Sequence, residues 1–435
     1  MVLKINVESV IEASEPIQLF YSGCKSPATK DKYTQSLKRV IFEFMEEILT
    51  GDTFESRANE IVTRAREDPK WITSVLIAIV DGLKKKTELP SDNPDFLKTS
   101  CFDNYIPPMK KLLDMNDVPV VWKKIYSMYP ENHSDEETRG YGRGEIKKML
   151  KSANAQDSAS ILIASSSGIR LGAFDFRWKH VKPVYEINGE YKWEDQDVTE
   201  SITKHGKVVC GLIVIYSDSE HRQFGFITPE ALESIQDYRT SWIQQIGREP
   251  QPEQPFLKQE GILVKPLQIK SLWSHIRKIV VSAGLRDPLV KGKRRHEIPL
   301  MNGFRRFFNR TNKESISKDS VLAQLIKKEV MMGHTGLISL DKNYFKLHMS
   351  ELVEEYLNAV PNLTISDEFR LRAENSRLQK EKEAIQTSSE TIDKLWDDII
   401  ELQFEVKSLR ASAQTKYDDE LKERTASLQD KIIYK

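Results

Sequence analysis

Apolar and polar positions change their period several times along the chain. In SPATKDKYTQSLKRVIFEFMEEIL (26–49), apolar residues fall at Leu37, Val40, Ile41, Phe44 and Ile48, behind Ser26 or Thr29 as a helix cap. PKWITSVLIAIVDGLKKK is a second helical run, ended by TELPSDNP, and YIPPMKKLLDMNDV is a third. Residues 26–128 thus read as a small all-helical module. PENHSDEETRGYGRG (130–144) is polar, contains glycine and reads as a linker.

Beyond it, GEIKKMLKSANAQDSASILIASSSGIRLGAF reads as two helices broken near Ser167–Gly168. The period then changes to that of strands. KVVCGLIVIY and QFGFIT are β-branched and aromatic, and the polar SDSEHR between them predicts a hairpin. TPEALESIQDYRTSWI returns to helical spacing, QIGREPQPEQP is a loop, and helices continue to about Ala359.

From Leu371 a seven-residue repeat takes over: Leu371, Leu378, Ile385, Ile392, Ile399, Val406 and Ala413. Leu395, Leu402 and Leu409 occupy the companion position three residues on, which predicts a coiled coil over roughly six heptads. Glu374, Glu381 and Ser388 at the same companion position weaken pairing in its first half. A single solvated helix is the alternative for this stretch. The fold class expected is mainly α with a small β-hairpin or sheet (α+β). Its parts are 1–129, the linker 130–144, a larger domain over 145–365, and a coiled-coil helix over 366–435.

The 65 basic and 65 acidic residues balance, so overall charge names no partner. Local charge does. Between 286 and 313 stand nine basic residues against Asp287 and Glu297, a net charge of +7. Within that stretch Lys291, Lys293, Arg294, Arg295 and Arg306 are the candidate phosphate contacts, since neutralising backbone phosphates releases counterions. Cys24, Cys101 and Cys210 are too few and too scattered for a disulfide framework, and fit a reducing compartment. The sequence has no run of 18 apolar residues, so no membrane span is expected. The expected location is cytoplasmic and nucleoid-associated. GxxxxGK[ST], GxGxxG and HExxH are all missing, and no metal site or cofactor is expected.

Four polar features remain. Arg170 stands in the apolar stretch SSSGIRLGAF, where a charge must be paired or face a ligand. Arg305 and Arg306 stand in MNGFRRFFNR, one of them expected to be buried with the phenylalanines and the other exposed. His334 follows Gly333, and Tyr344 lies ten residues further on. Taken singly, each has an ordinary structural explanation: an ion pair, a capping histidine, a core tyrosine. Their order (arginine, hairpin, basic loop with a second arginine, Gly-His, tyrosine) is more specific.

That order resembles the tyrosine recombinase, or phage-type integrase, family, and most closely its archaeal branch. SSSGIRLGAF, GFITPEALESIQDYR, MNGFRRFF, MMGHTGL and SLDKNYFKLHMSELVEEYLNAVPNLTI carry the resemblance, which extends over about 26–365. It implies a helical core-binding DNA-clamp domain followed by a catalytic domain. It implies Arg170 and Arg305 as clamps on a scissile phosphate, His334 as an aid to proton transfer, and Tyr344 as the nucleophile that forms a 3′-phosphotyrosyl bond. Exchange of one phosphodiester for another conserves bond energy, so neither metal nor ATP is implied. Partners follow from the same resemblance: double-stranded DNA attachment sites of a mobile element, and a tetramer on DNA. Separately, the heptad helix predicts self-association.

Two positions depart from the family pattern. Asn302 stands where a histidine is usual, and asparagine donates a hydrogen bond but is no general base. The hairpin tip has no lysine to act as general acid, which leaves His221, Arg222 or Lys207 as substitutes. An integrase-like protein that binds DNA without cleaving it, in an architectural or regulatory role, is therefore the alternative expectation.

Overall fold

A computed structural model of the chain describes residues 15–131, 138–193, 198–219, 222–289, 295–315, 321–333 and 348–433. The chain divides into two compact units. One comprises Met1–Thr138 with Pro288–Glu297, the other Arg139–Asp287 with Ile298–Lys435.

The first unit is all-helical. Its helices are α1 (Pro16–Ser22), α2 (Pro27–Arg39), α3 (Phe54–Glu67), α4 (Pro69–Thr87), α5 (Ile106–Met115) and α6 (Trp122–Tyr126). Start signals are local. The Ser26 hydroxyl accepts from the Thr29 amide, Thr53 and Ser56 form a capping box, and Asp68 accepts from the Lys70 amide. The core gathers Phe20, Leu37, Ile41, Met45, Ile61, Leu76, Phe102, Met109 and Leu112. Ile48, expected on the buried face, is exposed, while Met45 and Leu49 are buried. The reason is a π-helical turn over Val40–Phe44, which adds backbone per turn and rotates the apolar face.

The second unit holds the sheet. Its elements are α7 (Arg143–Leu150), α8 (Ala155–Ser167), β1 (Val181–Ile187), β2 (Glu190–Lys192), α9 (Glu200–His205), β3 (Lys207–Ile215) and β4 (Gln223–Ile227). Then come α10 (Pro229–Ile246), α11 (Ile269–Ser282), α12 (Leu300–Glu314), α13 (Val321–Met331), α14 (Met349–Leu363) and α15 (Asp367–Ile433). The expected β3–β4 hairpin is present within a four-stranded antiparallel sheet of order β2-β1-β3-β4. β1 and β2 were not anticipated, although their turn is Asn188–Gly189 with φ of 51° and 81°. That dipeptide favours a two-residue hairpin turn, because both positions tolerate positive φ.

Helix α8 is central. Every residue from Ala159 to Ser167 is buried, and the helix packs on α10, α12, α14 and β4. Its serines satisfy their hydroxyls within the helix: Ser166 donates to the Leu162 carbonyl and Ser167 to the Ile163 carbonyl, both at 2.6 Å. The helix break lies at 151–154, and Gly168 ends α8 instead of separating two helices. Tyr141, in the stretch expected to be a linker, is buried with its ring 4.7 Å from that of Phe304.

Helix α15 runs for 67 residues, about 100 Å at 1.5 Å per residue. Its start is anchored. The Glu230 carboxylate accepts from the amides of Ile365 and Ser366 at 2.7 and 2.8 Å, and Lys147 pairs with Asp367 at 2.5 Å. Leu371, Leu378, Ile385, Ile392, Leu395, Ile399, Leu402, Val406 and Leu409 are all exposed along it. No helix among the described residues is long and apolar enough to cross a membrane.

Candidate active site

The geometry is built from the ends of two helices and one hairpin. Helix α8 stops at Gly168, whose φ is 62° and where a Cβ would collide with the Phe308 ring. Only glycine meets both conditions, and the turn it makes carries the chain directly to Arg170. On α12, Arg305 reaches back across 137 residues of sequence. Its Nη1 donates to the Gly168 carbonyl and its Nη2 to the Met332 carbonyl, each at 2.5 Å. Met332 lies just past the end of α13. One guanidinium therefore bonds the carbonyl-rich ends of two helices, where cations are favoured.

Arg305 is half-buried on α12, between the buried Phe304 and Phe308. Burial, and after it the charge of Arg170, pull its pKa down to about 10, with Tyr216 and Glu329 opposing. Two guanidinium groups near enough to repel each other form a place where an anion is stabilised. Arg170 is exposed, at the start of the short helical turn Leu171–Phe174. The apolar sequence around it had implied a buried charge. The surrounding residues do enter the core, but the side chain of Arg170 turns outward.

The hairpin closes the site. Ile215 of β3 pairs with Gln223 of β4, so the tip begins at Tyr216. Tyr216 has φ of 54°, a left-handed conformation that costs a bulky residue about 1 kcal/mol or more. Its hydroxyl lies 3.9 Å from where a Cβ on Gly172 would stand. Gly333, with φ of 67°, approaches the hairpin so closely that a Cβ there would collide with Gln223.

Helices α13 and α14 bracket residues 334–347 and are joined by ion pairs. Lys328 Nζ lies 2.8 Å from Glu355 Oε1, and it also donates to Asn312 Oδ1 of α12 at 3.1 Å. Lys327 and Glu351 add a longer pair at 3.4 Å.

The residues singled out by sequence fall into three groups. Arg170 and Arg305 are brought together, and Asn302 lies exposed one helical turn before Arg305. Arg306 is exposed on the same helix, and Arg295 is exposed in the first unit. His334, Tyr344, Lys291, Lys293 and Arg294 lie outside the described residues, as does His221. Lys207 cannot stand in for a hairpin lysine. It begins β3, eight residues from Ile215 and about 26 Å from it at 3.3 Å per residue. Arg222 lies over the Phe224 ring at 5.3 Å. Sequence reasoning missed Tyr216. The signal available was its place as the last aromatic of a strand before a polar tip.

The described residues thus define an α+β fold in which Arg305 bonds the carbonyl of Gly168, two residues before Arg170, beside the β3–β4 hairpin. No known family model matches the sequence, and no curated protein matches it. Among solved structures it is similar to XerH site-specific recombinase bound to palindromic difH substrate in a post-cleavage complex. That match has 14% identity and a TM-score of 0.43, and covers 80% of this chain and 84% of that one. It is also similar to a lambda integrase(75–356) dimer bound to a COC′ core site, at 12% identity and TM-score 0.36, over 79% of this chain and 100% of that one. XerA recombinase matches at 14% identity and TM-score 0.30, over 81% and 98%.

Proposed function

We propose that this chain is a site-specific DNA recombinase or integrase that cleaves and rejoins strands through a phosphotyrosyl intermediate. The single observation that supports it is the meeting of Arg170 and Arg305, 135 positions apart, around the Gly168 turn. A phosphodiester is the ligand that such a pair suits. Guanidinium groups match its two non-bridging oxygens, and the match strengthens as charge grows in the pentacovalent transition state.

In this reading Tyr344 attacks phosphorus, its proton passes toward His334, and the bond to the 5′-oxygen breaks. A 3′-phosphotyrosyl ester remains, and attack by a 5′-hydroxyl reverses the step. No net bond energy is spent, so the chemistry calls for no ATP. Asn302 donates a hydrogen bond to phosphate. Lys291, Lys293, Arg294, Arg295 and Arg306 hold the duplex backbone, the exposed heptad seam of α15 joins copies of the chain into the tetramer that strand exchange requires, and a mobile element is the natural carrier.

A second reading, an integrase-like protein that binds duplex without cleaving it, is favoured by one observation. Arg305 already bonds two backbone carbonyls. One experiment separates the two. The protein is incubated with a pool of nicked duplexes carrying a randomised core, and covalent adducts are read on a denaturing gel. Cleavage gives an adduct that Tyr344→Phe abolishes while duplex affinity stays within about twofold. Salt-dependent binding with no adduct leaves the second reading, and binding without salt dependence removes both.

A further inference from the structure

Breaking a phosphodiester expels an alkoxide, and an alkoxide leaves slowly unless it receives a proton as the bond breaks. We propose that the hydroxyl of Tyr216 is the proton donor to the leaving 5′-oxygen at the Arg170–Arg305 site. This rests on the strand-transfer reading above, but on a residue which that reading does not use.

The position of Tyr216 is the first argument. Its hydroxyl lies against the turn that begins at Arg170, 3.9 Å from where a Cβ on Gly172 would stand. It also acts electrostatically on the Arg305 guanidinium. A phosphate held by the two arginines therefore has this phenol at its edge.

The second argument is conformational. Just past the end of β3, Tyr216 lies in the left-handed region, φ 54°, which tyrosine adopts only at a cost. The Ser219 amide donates to the Tyr216 carbonyl at 3.1 Å, as does the Ser219 hydroxyl, which holds that bend. Strain of this kind is retained where the surrounding structure needs the side chain in one place.

The third is chemical. Among the described residues beside Arg305, Arg170 does not release its proton, and Glu329 is engaged by Lys313 at 2.8 Å. A phenol, like an ammonium group, carries a proton that it can give to a departing alkoxide. It is therefore a chemical equivalent of the missing hairpin lysine.

The balance is closed. As the P–O5′ bond breaks, the Tyr216 proton moves to the 5′-oxygen, leaving a 5′-hydroxyl and a phenolate stabilised by the two guanidinium groups. On rejoining, the phenolate takes a proton back from the attacking 5′-hydroxyl, and the site is restored.

The test uses duplexes recovered as adducts from the nicked pool, prepared with an ordinary 5′-oxygen or with sulfur at the cleaved 5′ position. A thiolate leaves without a proton, so an acid that is lost is no longer missed. Tyr216→Phe is expected to slow cleavage of the oxygen substrate by about 100-fold or more and to cleave the sulfur substrate within about threefold of wild type. Duplex affinity and melting temperature should be unchanged. Equal loss on both substrates, or full activity on oxygen, overturns the proposal and leaves the strand-transfer reading standing. The same sulfur rescue in His221→Ala but not in Tyr216→Phe assigns the acid to His221 and also overturns it. A wild type inert on both substrates removes both readings.

Discussion

Lys328 and Glu355 are the most buried ion pair among the described residues, with side-chain exposures of 1% and 5%. They join α13 to α14, the two helices that flank residues 334–347. At 2.8 Å and an effective dielectric of 20, their attraction is about 6 kcal/mol. Loss of hydration by both charges offsets most of that gain. The contact is also imperfect. Glu355 Oε1 receives the charge without a well-aligned hydrogen bond, and Asn312 Nδ2 beside it has no hydrogen-bond partner among the described residues. Lys328→Met should therefore cost about 3–5 kcal/mol, because it leaves a carboxylate buried without its counter-charge. The double variant Lys328→Met/Glu355→Leu should return to within about 1 kcal/mol of wild type, or exceed it. Urea unfolding gives the overall loss, and hydrogen exchange of peptides from α13 and α14 separates it from events in the first unit. A single variant that loses less than about 1 kcal/mol, or a double variant worse than either single one, would refute the reasoning.

Gly168→Ala should destabilise by about 2–4 kcal/mol, combining a left-handed alanine with overpacking against Phe308, and it should loosen the carbonyl that Arg305 grips. Thermal unfolding checks this, and an unchanged midpoint would contradict it. Truncation at Ser366 removes the helix whose exposed leucines and isoleucines form the heptad seam. Sedimentation should then show less self-association with duplex binding by the monomer retained, and an unaltered mass distribution would count against the seam as an interface.

Much of the architecture was legible because it depends on near neighbours in the chain. Period, caps and turn residues act within a few positions, and they announced three helices of the first unit (Pro27–Arg39, Pro69–Thr87 and Ile106–Met115), the β3–β4 hairpin and the long final helix. Reading failed where local signals were overridden or passed over. The π-helical turn at Val40–Phe44 shifted a buried face, and Asn188–Gly189 marked a hairpin whose strands are short and only partly buried. Tyr141 sat in a polar stretch yet is buried, because Gly303 leaves room for its ring.

By itself the sequence singled out candidates for the chemistry: two arginines, an asparagine, a histidine and a tyrosine in a definite order, with a basic stretch between. It did not determine which of them meet. That was decided by packing, since α8 and α12 are distant in sequence and adjacent only because both bury apolar faces in one core. The same packing turned Arg170 outward, drew Arg305 onto two helix ends, set Lys207 at the far end of its strand and laid the Tyr216 hydroxyl beside Gly172. Distances between side chains far apart in sequence depend on the whole core, and no window of neighbouring residues contains them.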